Sequence, residues 1–184
     1  MRWMLMMLWL TAAVAAEGSP REWVLTIDDL KNKLGAKYRP NPRNEKLQYG
    51  DYLVSGYYVY SYTDTKRGIF MVSQVNRDLS SWDARMSYMP MKWGAKYGFD
   101  ERGATDYSKT VAAGEESAAY RSASGDSWMF TFRQRKAWGM LILGGFSLTP
   151  KEMDGVVDGY VARVNLVQVR KKPPSKPRGI WRWP

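Results

Sequence analysis

Stretches rich in apolar and aromatic residues alternate with polar turns through the first half of the chain. Residues 51–62 (DYLVSGYYVYSY) are dominated by Tyr, Val and Leu, which suit a half-buried, pleated strand. A polar turn (TDTKR) separates them from a second such run at residues 68–75. The pattern predicts a β-hairpin with a longer loop. Upstream, residues 28–34 predict a short helix, and residues 36–50, with two prolines and little apolar content, predict a loop.

The spacing of the apolar residues changes in the middle of the chain. Five of them recur at steps of four, three, four and four, which predicts one face of a helix: Trp82, Met86, Met89, Trp93 and Tyr97. Such a stripe is typical of the side of a helix that packs on a core. Pro90 lies within this helix, and a proline removes a hydrogen bond and disfavours helix at the preceding residue. We therefore expect a kink or two short helices.

The last third of the chain predicts two strands and a helix. Residues 127–135 alternate in part, and residues 138–146 form a continuous apolar run typical of a strand buried on both sides. Thr149 and Glu152 have the spacing of a capping box, with a proline between them at the first helical position. The helix that follows carries Gly155 and Gly159 four residues apart, which suggests close packing on a neighbour.

These elements together predict an α+β fold. We expect an antiparallel sheet of about five strands with two main helices packed on one face. The globular domain spans residues 17–167, and residues 168–184 form a disordered or extended basic tail that contains Pro and Trp.

The first residues match the pattern of a secretory signal peptide. Arg2 is followed by an uncharged, mostly apolar run and then by small residues that fit a cleavage site. The run is shorter than the roughly 20 apolar residues that span a bilayer. We therefore predict a signal peptide at residues 1–16 and an exported protein, periplasmic or secreted.

The chain contains no His and no Cys, and this excludes most familiar catalytic designs. Ser-His-Asp and Cys-His nucleophilic sites, the usual zinc sites and Cys-ligated iron–sulfur clusters all need these residues. The sequence predicts no cofactor. A carbohydrate-active hydrolase with two carboxylates remains an alternative because that reaction needs neither His nor metal. Its candidate residues lie in predicted loops: Asp64, Asp100, Glu101, Asp106, Glu115 and Glu116.

A second alternative is a soft-metal site at Met86, Met89 and Met91. Thioether sulfur suits Cu(I), and two tryptophans flank the segment. Methionine is also a common filler of irregular core space, and the usual stronger ligands are absent from this chain. The sequence therefore predicts no metal-binding residue, and the Met segment remains an alternative.

Charge is concentrated at the end of the chain. The net charge is +10, yet residues 17–167 hold 21 basic and 18 acidic residues. The tail has basic residues, no acidic residue and two tryptophans, which favours contact with an anionic surface or acidic partner. The residues that we expect to bind are Arg170, Lys171, Lys172, Lys176, Arg178, Trp181, Arg182 and Trp183.

A cluster of tyrosines offers a second candidate for partner binding. Tyr58, Tyr60 and Tyr62 share one face of an alternating strand. An exposed face of this kind would be a rigid, amphipathic contact surface, whereas a covered one would pack beneath the helices.

The sequence favours an exported, non-catalytic binding or accessory module. Its expected partner is a protein or an anionic envelope component, with peripheral membrane contact as one form of that binding. Nucleic acid fits an exported protein less well, and the sequence does not indicate the oligomeric state.

Overall fold

The structure is a computed structural model that describes residues 19–35, 37–51, 55–100 and 103–170. The predicted signal peptide and residues 171–184 of the predicted tail lie outside these ranges. Within them, no helix combines the length and the apolar character that crossing a membrane requires.

The described residues form one seven-stranded, fully antiparallel sheet. The strands lie in the spatial order β1-β2-β3-β7-β6-β5-β4. Their bounds are β1 Glu45–Asp51, β2 Gly56–Asp64, β3 Ile69–Arg77, β4 Thr105–Asp106, β5 Glu116–Arg121, β6 Ser127–Gln134 and β7 Ala137–Gly144.

Four α-helices occur in the described ranges, together with two short 3₁₀ turns. The α-helices are α1 Pro20–Trp23, α2 Ile27–Leu30, α3 Ser81–Asp100 and α4 Pro150–Arg170. The 3₁₀ turns are Lys31–Lys33 and Pro42–Asn44. The predicted capping box begins α4: the Thr149 amide donates to Glu152 Oε2 at 3.0 Å, and the Glu152 amide donates to Thr149 Oγ1 at 3.3 Å.

The covered face of the sheet is the one that carries Tyr60 and Ser73, and α1, α2 and α4 pack on it. The Ser73 hydroxyl donates to the Tyr160 hydroxyl of α4 at 2.8 Å and accepts from the Leu25 amide at 3.0 Å. Trp23 of α1 stacks on Tyr58, with ring centroids 4.9 Å apart. Large side chains thus fill this side, and the hydroxyls of Tyr60, Ser73 and Tyr160 form hydrogen bonds among them.

The open face is the opposite side, which carries Thr131, and α3 packs across its β5–β7 half. Tyr88 of α3 is fully buried there, and its hydroxyl donates to the Thr131 carbonyl at 3.5 Å. Thr131 pairs with Met140, which pairs with Gln74, so Thr131 and Ser73 lie on opposite faces. The other half of the open face, over β1–β3, exposes Tyr57 and Phe70.

The α+β class and the antiparallel sheet are confirmed, but three finer predictions are corrected. There are seven strands among the described residues, not five, because β1 lies in the predicted loop and β4 has only two residues. The helices cover both faces, not one. The third correction concerns α3, which continues through Pro90 as a single helix and not as two short ones. Pro90 is exposed, so water can reach the Met86 carbonyl that lacks its usual donor.

Candidate functional site

The tyrosines predicted as a contact surface lie in the core instead. Tyr58, Tyr60 and Tyr62 are at most 1% exposed, beneath α1, α2 and the segments beside them. The Ile27 amide donates to the Tyr60 hydroxyl at 3.1 Å, and the Tyr38 and Tyr62 hydroxyls lie 2.6 Å apart. Burial raises the pKa of the Tyr60 phenol above its ordinary value. Alternation indicates which tyrosines share a face but not whether a helix covers that face, so the exposed-surface expectation is wrong.

The predicted tail can be placed only at its start. Arg170 ends α4, and its side chain lies outside the description. The other tail residues predicted to bind also lie outside it: Lys171, Lys172, Lys176, Arg178, Trp181, Arg182 and Trp183.

The end of α4 is tied to the start of α3 through the β6–β7 turn. The Lys136 amide donates to Gln168 Oε1 at 3.2 Å, and the Asp78 amide donates to the Lys136 carbonyl at 2.8 Å. Asp78 comes three residues before α3 and accepts from Trp138 Nε1 at 3.0 Å. The basic tail therefore begins close to the N-terminal end of α3.

The three methionines of the soft-metal alternative do not share one side of α3. Met86 is exposed, whereas Met89 and Met91 are half-buried. Because each helical residue turns by about 100°, Met86 and Met91 point about 140° apart. A single ion cannot be reached by all three sulfur atoms from these helix positions, so the structure does not bring this cluster together.

The loop carboxylates that the structure describes are held by other groups. Glu115 and Glu116 both bind Arg133, at 2.5 and 2.9 Å, and Asp106 accepts from the Ser108 amide at 2.8 Å. Burial acts to raise the pKa of Asp106, but its bonds to Ser108 and the positive charges of Lys96 and Lys109 outweigh this and lower it.

The remaining candidates of that set are described only in part. Asp64 lies 4.0 Å from Arg67, while the Asp100 side chain and Glu101 lie outside the description. Among the described residues, no group of three or more acidic side chains could hold a metal. The described candidates are therefore engaged with arginines or with a backbone amide, and the two-carboxylate hydrolase stays a prediction.

Four of the five residues of the predicted apolar stripe of α3 face away from the sheet, and the fifth, Met89, is half-buried. The outer stripe, which we define as Trp82, Met86, Trp93 and Tyr97, has exposed fractions of 67%, 53%, 58% and 67%. The face that packs on the sheet instead carries Ala84, Tyr88 and Ala95. The spacing of these three residues, four and seven, was the signal that could have identified the buried face.

Basic side chains flank the outer stripe on the side toward β5. Arg85 lies 3.5 Å from Glu116 of β5, and the charge of Lys96 acts on Asp106 of β4. Lys92 occupies the same side of the helix by its position. On the other side, Asp83 accepts from the Ser80 hydroxyl at 2.7 Å and so takes part in the helix cap. Basic side chains therefore line one side of the stripe, with Glu116 and Asp106 of the sheet beside them.

A groove of about 640 Å³ runs between α2 and α4 on the other side of the molecule. Gly155 and Gly159 form part of its wall, and a Cβ atom at either would meet no neighbour within 4 Å. The expected close packing at these glycines is thus absent. Four charged residues of the lining form ion pairs: Lys33 with Glu152 at 3.3 Å and Arg163 with Asp29 at 2.6 Å.

The chain matches no protein-family model, no curated protein and no solved structure. A function must therefore be argued from the outer stripe of α3, the basic side chains beside it and the tail that begins near its first turn.

Proposed function

We propose that this protein is an exported, non-catalytic binding module that docks on an anionic surface or acidic partner. The outer stripe of α3 forms one part of the binding surface, and the basic C-terminal tail forms the other. Because residues 1–16 are predicted to be a signal peptide, we expect docking to take place outside the cytoplasm.

The exposure of the outer stripe is the observation that carries this proposal. Trp23, Trp128, Tyr88 and Tyr160 are fully buried, whereas Tyr49, Tyr57 and Phe70 are partly exposed at isolated positions of the sheet. The two tryptophans and the tyrosine of the outer stripe are more exposed than any of these and lie together on one helix face. Large exposed apolar patches mark interaction surfaces, and Trp and Tyr are among the residues enriched at them.

The distribution of charge supports an anionic partner. Six basic residues and no acidic residue follow Val167, and the tail starts beside the N-terminal end of α3. Arg85 and Lys96 add basic side chains along the helix itself, beside Glu116 and Asp106 of the sheet. Attraction between such groups and an anionic surface acts over about 10 Å at moderate salt, so tail and helix contribute to the same encounter.

Truncation of the tail tests the proposal. Removing residues 171–184 should weaken binding to anionic vesicles or to an immobilised acidic polysaccharide by more than about tenfold at low salt, because each cation near such a surface contributes about 1 kcal/mol. Binding of the intact chain should fall as salt is raised. The measurements are vesicle flotation and surface binding over a salt series, with a thermal melt of both proteins.

The matched control replaces Trp181 and Trp183 with Ser and keeps every basic residue of the tail. This variant should retain the salt dependence of the intact chain. A truncated protein that binds as tightly as the intact chain would refute the role of the tail, and one that melts much earlier would show that the tail belongs to the fold.

A further inference from the structure

We propose that the partner of the outer stripe is the surface of an anionic phospholipid bilayer, with α3 lying parallel to the membrane plane. This inference rests on the proposed function and names its partner. It assigns a lipid contact to Trp82, Met86, Trp93 and Tyr97, which packing within the described fold leaves uncovered.

The residue types of the outer stripe match the chemistry of a membrane interface. Trp and Tyr rings have an apolar body and a polar edge, and they are enriched where hydrocarbon meets headgroups. From Trp82 to Tyr97 the stripe extends for about 22 Å at the rise of an α-helix. All four side chains are more than half exposed, so the whole length can touch a flat surface at once.

The packing of α3 limits how deeply it can enter the bilayer. Its opposite side is fixed to the sheet by Tyr88, Ala84 and Ala95, all buried. Only the outward half of the helix is available, which corresponds to the shallow position of an interfacial amphipathic helix, about 5–10 Å into the headgroup boundary. The contact is therefore peripheral, in agreement with the absence of a membrane-spanning helix among the described residues.

Charge favours an anionic lipid over a neutral one. Arg85 and Lys96 flank the stripe beside Glu116 and Asp106, and the residues after Val167 add six basic and no acidic side chains to the chain. The same geometry favours a bilayer over a protein groove, because α3 stands out from the sheet as a ridge. Lipids rearrange around a ridge, whereas a protein would need a complementary groove with a negative rim.

The absence of cysteine from the chain allows a direct test of orientation. A Met86→Cys variant of the full chain carries a single thiol for an environment-sensitive fluorophore. On anionic vesicles of phosphatidylcholine with phosphatidylglycerol, the label should move to a less polar environment and become protected from an aqueous quencher. Vesicles of phosphatidylcholine alone should produce a much smaller change.

The matched control for orientation is Leu166→Cys. Leu166 is also exposed, at 55%, but it lies on α4, which packs on the other face of the sheet. Its label should stay accessible to the quencher while the protein is bound. A Leu166 label that is protected as well as the Met86 label would overturn the proposed orientation.

Affinity gives the second test. The double change Trp82→Ser and Trp93→Ser should weaken flotation with anionic vesicles by about tenfold for each tryptophan, given the apolar area that each would bury. The control double change, Tyr49→Ser and Leu166→Ser, removes two equally exposed side chains away from α3 and should leave binding unchanged.

The outcomes separate this inference from the proposed function. If the Trp82 and Trp93 variant binds anionic vesicles as well as the intact chain, or if the Met86 label stays exposed on bound protein, lipid contact by α3 is refuted while binding of the tail to anions stands. If the variant loses binding to an immobilised acidic polysaccharide as strongly as to vesicles, the partner is not specifically a bilayer. If the intact chain binds no anionic surface at all, both proposals fail.

Discussion

The two faces of the sheet differ in how completely they are covered. On the covered face, α1, α2 and α4 bury Trp23, Tyr58 and Tyr160, and the hydroxyl of Tyr160 is bonded to Ser73. On the open face, α3 covers β5–β7 only, and the helix turns its own largest aromatic side chains to the outside.

This difference separates side chains that hold the fold together from side chains that are free to contact something else. A tryptophan on the covered face loses all contact with water on folding, so its burial stabilises the fold. A tryptophan of the outer stripe keeps more than half of its surface exposed, so its partial burial contributes less to the stability of the fold. Substitutions on the covered face should therefore lower stability more than binding, and substitutions in the outer stripe should lower binding more than stability.

The largest expected effect is the loss of Trp23. Trp23→Ala removes a fully buried ring that stacks on Tyr58 and leaves a cavity, so it should lower the free energy of unfolding by about 3–5 kcal/mol. Urea unfolding followed by circular dichroism gives the value. Trp23→Phe is the control and should lose less, because it keeps an aromatic ring against Tyr58. A change below 1 kcal/mol for the alanine variant would contradict the role of α1 in the core.

An intermediate effect is expected at Asp29, which joins the N-terminal segment to α4. Its carboxylate accepts two hydrogen bonds from Arg163, at 2.6 and 3.0 Å, and one from the Thr26 amide at 2.7 Å. Burial acts to raise the pKa of this carboxyl, but the bonds from Arg163 and Thr26 outweigh burial and lower the pKa below its ordinary value. Asp29→Asn should cost about 1–2 kcal/mol at neutral pH.

The pH dependence of that loss has a definite sign. Because the pKa of Asp29 is lower in the folded state, its stabilisation is complete above about pH 4 and disappears as the pH falls through the folded pKa. The difference between the parent and Asp29→Asn should therefore be largest at neutral pH and shrink in acid. The control is Asp28→Asn, at the exposed neighbour. A difference that grows below pH 4 would refute this assignment.

The smallest effect on stability is expected on the open face. Trp82→Ser and Trp93→Ser should each change the free energy of unfolding by no more than about 0.5 kcal/mol, because both side chains are mainly exposed. A thermal melt of each variant provides the measurement. A loss comparable to that of Trp23→Ala would mean that the outer stripe belongs to the core, and the distinction between the two faces would fail.

Local patterns in the sequence predicted most elements of the fold. The hairpin of β2 and β3 and the capping box of Thr149 and Glu152 are both present as expected. These signals are local, since neighbouring residues along the chain create them. β1 was missed because its residues carry few apolar side chains, and it is a strand through its pairing with β2.

The location of the candidate site depended on tertiary packing and could not be predicted in the same way. Periodicity grouped five residues on one side of α3, but it could not show which side meets the sheet: Trp82, Met86, Met89, Trp93 and Tyr97. Four of them are exposed, and Met89 is half-buried. Three smaller or more polar positions, Ala84, Tyr88 and Ala95, occupy the interface instead. Likewise, the face shared by Tyr58, Tyr60 and Tyr62 was recognised, while its cover by α1 and α2 comes from a segment distant in sequence.

The bond between Arg163 and the Val24 carbonyl joins residues 139 positions apart, at a distance of 3.0 Å. α1 and α4 pack together on the same side of the sheet. Each of these two helices, the first and the last of the described fold, therefore depends on the other for part of its packing. In a chain that is still emerging from the ribosome, Trp23 and Tyr58 therefore remain incompletely buried until α4 has been synthesised. Completion of the core is consequently a late event in the life of each newly made chain.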